Sequence, residues 1–419
     1  MLDINFIREN KEAVEESAKS RNVSVDINEL LDLDEQRRDL HRQVEDLRSQ
    51  RNQLSSHNSS KPTKEDIKLA SDIKTKLAKL EPELKNVEDS YLELLLQVPN
   101  INDKSVPIAD TEDGNEVISS WGEVTEFDFE PKNHLELGES LDLIDTKTAS
   151  FTSGSRFYYL KNEAVLLEFA LVQWLLGKYV DKGFIPVTTP QLVKEHMMVA
   201  TGFFPAEENE IYHVNPEDDD LYLVGTSEVP LAGLHMKEPI MAADLPKRYV
   251  GFSTCFRREA GSYGKDTQGI LRVHQFDKME MYSFTHPDNS KEEHDFLLSL
   301  EEEILQELKL PYQVVNICSG DLGSPAAKKY DCEVWIPSQG KYRELTSCSN
   351  TTDYQSRRGG IKYRNQDGKL EHAHTLNGTA MASTRTIIAI LENYQTKDGS
   401  VRVPEVLQPY INKKEISIK

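Results

Sequence analysis

Residues 30–94 restrict the fold more than any other part of the chain. Leu30, Leu33, Arg37, Leu40, Val44, Leu47, Arg51 and Leu54 follow one another at alternating spacings of three and four. That spacing is a heptad seam, broken by two arginines, and it predicts a helix with one narrow apolar stripe. After the polar stretch SSHNSSKPTKED (55–66), a second seam runs through Ala70, Ile73, Leu77, Leu80, Leu84, Val87, Tyr91 and Leu94. Two seams of similar length joined by a Ser/Asn/Pro turn cover each other only if the helices fold back. An antiparallel coiled-coil hairpin, roughly 40 Å long at 1.5 Å per residue, is therefore expected. Pro82 lies off the seam but inside the second helix, where a local kink is expected. Such a hairpin serves either as an oligomerisation rod or as an arm that reaches a partner.

Composition narrows the setting. A chain of 419 residues has room for two or three domains and a sizeable core. Its formal net charge of −22 argues against general, non-specific nucleic-acid affinity, which calls for a basic domain, and leaves room for a local basic patch. No run of about 18 apolar residues appears, so no membrane span is expected. The start, MLDINFIRENKEAVEES, has no apolar h-region and reads as no secretory signal. Cys255, Cys318, Cys332 and Cys348 show no CxxC spacing, against both a disulfide framework and a cysteine zinc site. A reduced cytoplasm is the simplest location.

The segment 98–122 is rich in Pro, Asn, Asp and Gly and reads as a linker. Residues 160–181 are apolar nearly all round, as expected of a buried helix. From residue 221 onward short alternating strands dominate: LYLVGTSE, RYVGFSTCFRRE, ILRVHQFDKMEMYSF, YQVVNIC, CEVWIP and KYRELTSC. Helices are expected around 290–309 and near 380–394. Strands joined by hairpins, with helices segregated from them, indicate an α+β domain on an antiparallel sheet, and disfavour a parallel nucleotide-binding fold.

Within that sheet, FRREAGSYGKDTQGILRVHQF (256–276) is the most informative stretch. Gly261, Gly264 and Gly269 sit among Arg257, Arg258, Lys265 and Arg272, yet no P-loop or dinucleotide fingerprint fits. Strand alternation puts Arg257 and Glu259 on one face and Arg258 on the other. It also puts Arg272, His274, Phe276 and Glu280 together, opposite Leu271, Val273, Met279 and Met281. A solvated charged hairpin face is the ordinary alternative. If the face is instead a site, arginine forks bind phosphate or carboxylate oxygens and stabilise charge at a phosphorus centre. Phe276 stacks a purine and Glu259 accepts from an exocyclic amine, which makes an ATP site without a P-loop.

These residues resemble motif 2 of the class II aminoacyl-tRNA synthetases: FRxE, a variable loop, then Arg272 through Phe276. GFIPVTTPQLV (183–193), with Pro190, resembles motif 1, and NGTAMASTR (377–385), ending in Arg385, resembles motif 3. Three motifs in order form a specific signal, and the HIGH and KMSKS signatures of class I are absent. Over its whole length the chain is similar to the bacterial seryl-tRNA synthetase family, through the N-terminal hairpin, GTSE (225–228), YRELTSCSN (342–350) and HTLNGTAMASTR (374–385).

That resemblance implies an N-terminal tRNA-binding domain over 1–110 with the coiled-coil arm, and a catalytic α+β domain over 111–419. It implies a serine pocket of Thr226, Ser227, Glu228, Arg257, Glu280, Asn377 and Thr379, with Ser227 pointing away. ATP would be held in a bent form by Arg257, Arg258, Glu259, Arg272, Val273, His274, Phe276, Glu344, Leu345, Thr346, Ser347 and Arg385. Glu344 and Ser347 would carry Mg2+, and Arg257, Arg385 and Glu344 would be catalytic. Glu344 and Ser347 have opposite strand parity, so a bend or bulge between them is required. No zinc is expected, and HAH (372–374) reads as structural. The implied partners are L-serine, tRNA(Ser) and, where the host has it, tRNA(Sec), on a homodimer with tRNA bound across subunits. A synthetase-like protein that loads a carrier protein is the alternative, and the intact hairpin counts against it.

Overall fold

The computed structural model describes residues 1–57, 63–260 and 269–417. Lys61 in the turn of the hairpin, and Gly261, Gly264 and Lys265 of the glycine-rich loop, lie outside the described residues. Contacts divide the chain into two units, Leu2–Ile101 and Asn102–Lys419, the second also including Met1.

In the first unit both heptad seams become long helices, α1 (Ile27–His57) and α2 (Lys64–Gln97). At 31 and 34 residues they run about 46 and 51 Å, longer than the seams alone suggest. His41 Nε2 meets Glu88 at 2.7 Å, and Arg48 meets Glu81 at 2.8 Å. Each step forward on α1 is thus a step back on α2, which makes the pair antiparallel. Leu40, Val44, Ile73, Leu77 and Leu84 are buried between the helices, with Leu47, Leu54, Leu80 and Val87 packed beside them. Ala70 is exposed, so the seam ends near Ile73. At the start of α2, Thr63 and Asp66 form a reciprocal capping box. The helix runs through Pro82 without interruption.

The two seam arginines part company. Arg51 is exposed, whereas Arg37 lies half-buried with its guanidinium 4.4 Å from the centre of the Tyr91 ring. Asp34, whose side chain is fully buried, explains why a charge is tolerated there. Arg8, Arg37 and Arg38 reach it at 2.9, 3.0 and 3.1 Å. Taking a carboxylate out of water costs several kcal/mol, which such partners offset.

In the second unit an eight-stranded sheet forms from β1 (Glu116–Trp121), β2 (Ile185–Thr188), β3 (Lys247–Phe256), β4 (Gln275–Thr285), β5 (Tyr312–Asn316), β6 (Lys328–Ile336), β7 (Lys341–Asn350) and β8 (His374–Ala382). Their spatial order is β1-β5-β6-β7-β8-β4-β3-β2. Every pair is antiparallel except β2 with β3. Helices α3 (Glu163–Asp181), α4 (Ser290–Glu307) and α5 (Ser383–Asn393) supply Leu171, Leu297 and Ile387 to the main core. Met279 and Met281 of β4 reach the same core, leaving Phe276, Lys278 and Glu280 to the other face.

Four expectations change. The last part of the proposed linker is β1, the sheet edge, paired with β5. All its side chains are exposed, so no buried face produced an alternating pattern. A strand, β8, fills 374–382, and the helix starts only at Ser383. Nearly all of β8 is buried on both faces, and such strands do not alternate. Helix α3 buries only one side; Leu166, Phe169 and Val180 are exposed on the other. Finally, β3 ends at Phe256 and β4 begins at Gln275, so the described residues 257–260 and 269–274 lie outside both strands and strand parity has no force there.

Removal of a seam side chain tests the hairpin. Leu77→Ala should destabilise the arm by about 2–4 kcal/mol, because the cavity between two helices only partly collapses. Leu92→Ala, at a side chain 47% exposed, should change it by less than about 0.5 kcal/mol. Hydrogen-exchange protection of the arm amides reads both.

Candidate active site

The central strands present a pair of adjoining cavities. On β4 the alternation that sends Met279 and Met281 into the core aims Phe276, Lys278 and Glu280 at them. Arg257, one residue beyond β3, is positioned by its backbone: its N–H donates to the His274 carbonyl at 3.0 Å. Its Nε donates to the Gly225 carbonyl at 3.3 Å, and its guanidinium lies 5.2 Å from the centre of the Phe276 ring. The glycine-rich loop returns through Gly269, with φ +84°. A Cβ there would lie 2.1 Å from His134 Nε2, so no larger residue fits. The neighbouring Ile270 N–H donates to that nitrogen at 3.3 Å, and His134 Nδ1 donates to Glu392 at 2.9 Å.

The first cavity has a cationic and aromatic wall of Arg257, Arg272, Phe276 and Arg385, with Val273 and Leu345 beside them. Glu259, with a left-handed φ of 51°, turns back so that its carboxylate lies 3.5 Å from Arg272 Nη1. Arg385 Nη1 donates to the Glu344 carbonyl at 2.9 Å and pairs with the Glu344 carboxylate at 3.1 Å. The second cavity, of about 250 Å³, is lined by Thr226, Glu228, Glu280 and Asn377. Arg257, Lys278, Glu344 and Ser347 line both. Thr379 is on the wall of the first.

The bulge required on β7 is present. Cys332 faces Thr346 and Glu333 faces Glu344, which leaves Leu345 as an extra residue. That one-residue slip turns Glu344 and Ser347 to the same side. The charges of Arg385, Lys329 and Arg257 hold the half-exposed Glu344 carboxyl well below the usual carboxylate range. Ionised Glu344 and the Ser347 hydroxyl are hard oxygen donors suited to Mg2+, which binds through one or two carboxylates plus substrate phosphates. Among the described residues no three His, Cys, Asp or Glu side chains are grouped to hold a metal without such help.

Four residues expected in the site have side chains directed elsewhere. Ser227 Oγ donates to the Gly251 carbonyl at 3.2 Å, pointing away from the pocket. Thr346 donates to Glu301 at 2.7 Å on the far side of the sheet, as its place in the bulge dictates. His274 Nδ1 donates to the Arg257 carbonyl at 3.0 Å, so it supports the arginine. Arg258 lines neither cavity, while its N–H donates to the Glu210 carbonyl.

Two residues escaped the sequence reading. Lys278 Nζ lies 2.5 Å from Glu280 Oε2 and 3.2 Å from Thr226 Oγ1. Its parity with Phe276 and Glu280 was legible, but lysines are rarely buried. Gln355, in the short helix Tyr354–Gly359, donates to Glu228 Oε1 at 2.6 Å and to the Thr201 carbonyl at 3.1 Å. Tyr282 and Thr375 hydroxyls donate to its Oε1 at 2.7 and 2.9 Å, which fixes the amide. No local pattern marks that residue. His372 bonds the Ile361 carbonyl at 3.2 Å through Nδ1.

Residues 1–102 match the Seryl-tRNA synthetase N-terminal domain, and residues 212–394 match the tRNA synthetase class II core domain (G, H, P, S and T). The chain is 45% identical over 421 residues to the serine–tRNA ligase of Rubrobacter xylanophilus, covering 99% of each. It is 48% identical over 418 residues to that of Borreliella burgdorferi, covering 98% of each. Its fold is similar to the seryl-tRNA synthetase of Pyrococcus horikoshii complexed with ATP, with a TM-score of 0.91 and 41% identity over 100% of both chains. The cytoplasmic serine-tRNA ligase of Naegleria fowleri in complex with AMP gives 0.87 and 37%, over 100% of this chain and 99% of that one.

The paired carboxylates predict a pH dependence of stability. Burial, and then the charge of Glu280, push the Glu228 carboxyl up to about 7, against the pull of Gln355 and Lys278. A carboxyl raised on folding contributes stability that is complete below its unfolded pKa and is lost as pH rises through the folded value. The unliganded chain should therefore lose stability between about pH 4.5 and about pH 7. Glu228→Gln should be more stable than the parent near pH 8, by about 1–3 kcal/mol, and the gain should vanish near pH 5. Thermal unfolding at the two pH values measures it.

Proposed function

The chain belongs to the seryl-tRNA synthetase family, and from that premise we propose how its residues carry out the reaction. It is an ATP-dependent aminoacyl-tRNA ligase for serine. In the first half-reaction the serine carboxylate attacks the α-phosphorus of ATP in line. An oxygen–phosphorus bond forms as the bond to pyrophosphate breaks. In the second, the terminal ribose hydroxyl of tRNA attacks the seryl carbonyl and AMP leaves.

The observation that carries the residue assignment is the meeting of two unlike cavities at Arg257, one cationic and aromatic, the other carrying two buried carboxylates. Phe276 stacks the adenine, with Glu259 positioned for its amine. Arg272 and Arg385 hold the outer phosphates, while Glu344 and Ser347 would hold Mg2+, which neutralises phosphate charge when bound. Glu228 and Glu280 take the serine ammonium and hydroxyl, with Thr226, Asn377 and Thr379 beside them. A pocket that bonds the hydroxyl rejects alanine strongly, since buried polar groups would otherwise be left unpaired. Arg257 bridges carboxylate and α-phosphate. Positioning and charge stabilisation carry the step, with no covalent intermediate on the protein.

The same reading makes 1–110 the tRNA-binding part and 111–419 the catalytic part, in a cytoplasmic homodimer. Leu166, Phe169 and Val180, left exposed on α3, support a second copy packed there. The long arm supports tRNA(Ser) as the acceptor, and tRNA(Sec) where the host has one, bound across subunits. Arg37 and Arg38 are held on Asp34, so of the basic residues of the arm Arg42, Arg48, Arg51, Lys64, Lys68, Lys74 and Lys76 are the ones left to meet its backbone, with Lys61 outside the described residues. The arm also counts against a protein that loads a carrier protein instead.

Serine-dependent ATP–pyrophosphate exchange followed by charging of serine tRNA tests the assignment; exchange without charging would favour carrier loading. Phe276→Ala should raise the KM for ATP by roughly 5- to 150-fold, from the loss of one base stack. Arm contact is tested separately. Reversing charge at Arg42, Arg48 and Lys76 should slow charging at limiting tRNA and leave the tRNA-free exchange rate in place. Unchanged charging would put the RNA surface elsewhere.

A further inference from the structure

Lys278 occupies the ground on which the substrate has to bind. Its ammonium contacts both Glu280 (2.5 Å) and Thr226 (3.2 Å), two groups assigned above to serine, and it is only 8% exposed. Lys278 pairs closely with the Glu280 carboxylate and Thr379 also bonds it, so a second cation arriving there takes the place of the ammonium alone. Lys278 also stands where the two cavities join, alongside Arg257, Glu344 and Ser347. Arg257 is held there by the Gly225 carbonyl and the Phe276 ring. A lysine on a flexible stem has no such restraint.

We propose that Lys278 is a further catalytic residue: it balances Glu280 in the empty pocket, cedes that carboxylate to the arriving serine ammonium, and moves its charge to the junction where the serine carboxylate meets the α-phosphate. The inference rests on serine activation at this site. Adenylate formation brings two anions together, and one guanidinium, that of Arg257, faces them from just beyond β3. A second cation at the junction screens that repulsion in a low-dielectric site, where a fixed charge counts for most. The lysine keeps its proton throughout. The carboxylate oxygen bonds to phosphorus while the bond to the pyrophosphate oxygen breaks, and no proton is transferred.

A swap of cations predicts a divided kinetic effect. In Lys278→Met the competing ammonium is gone, so the serine KM in ATP–pyrophosphate exchange should stay level or fall, while kcat should drop by about 10²- to 10³-fold. Lys278→Gln keeps donors for Glu280 and Thr226 without the charge, and should show the same loss of kcat; it carries the test if the methionine variant does not fold. Calorimetric binding of serine to either variant without ATP checks that the pocket is intact. A kcat within threefold of the parent, or a raised serine KM with kcat preserved, overturns the role of Lys278. Absence of serine-dependent exchange in the parent chain would instead overturn the activity itself.

Discussion

Two carboxylates kept out of water in one pocket set the terms for the groups around them. Glu228 and Glu280 are 9% and 1% exposed. Burying one carboxylate costs several kcal/mol, and a like charge beside it adds to that. The fold answers with Lys278, with Arg257, and with a Gln355 amide whose orientation is locked by Tyr282, Thr375 and the Thr201 carbonyl. These partners reduce the penalty without removing it, since both carboxyls remain above their ordinary range. An empty pocket of this kind is complementary to a small ammonium ion. Stability given up in the unliganded state is recovered when the cation binds, the familiar exchange between stability and activity.

The sheet determines how those groups converge, and only part of that was legible in advance. On β4 the period-two pattern set apolar Met279 and Met281 opposite Phe276 and Glu280, and the strand divides that way although both faces are buried from Lys278 onward, because one face meets the core and the other the cavities. Beyond its ends the same rule failed. Arg257, Glu259 and Arg272 reach the cavity through loop geometry, including a left-handed Glu259 and a Gly269 seated against His134, which alternation does not describe. On β7 parity forbade Glu344 and Ser347 from sharing a site, and that conflict itself located the bulge. Strand β8 gave no signal because it is buried on both faces, and Gln355 none because its partner Glu228 is 127 residues away. Local pattern reports local burial; contacts made across the fold leave no local trace.

The hairpin was the easier inference for the same reason. Heptad spacing is a local property, and each seam's partner is the next element in the chain. Even so, its two polar interruptions looked alike in the sequence and differ in space. Arg37 is bound into the Asp34 cluster and the Tyr91 ring, while Arg51 stays in solvent. Three guanidiniums around one buried carboxylate make that end of α1 a fixed point. The exposed ion pairs farther along α1 and α2 have no comparable support.

That contrast bears on how an acidic chain accommodates polyanions. With a formal charge of −22, the surface as a whole repels RNA, but screening limits each charge to about 8 Å at physiological salt. Cations concentrated in a cleft, such as Arg257, Arg272, Lys278 and Arg385, therefore act almost independently of the remote acidic surface. On the arm two of the basic residues are already engaged: Arg42 with Asp39 at 2.8 Å, Arg48 with Glu81 at 2.8 Å. Exposed pairs of this kind contribute only about 0–1 kcal/mol each, so exchanging a carboxylate for a phosphate costs little. In the tRNA-binding role proposed above, the arm would keep those two cations balanced and release them to a backbone of matching shape. Repulsion from the rest of the surface then works against every RNA that cannot reach them.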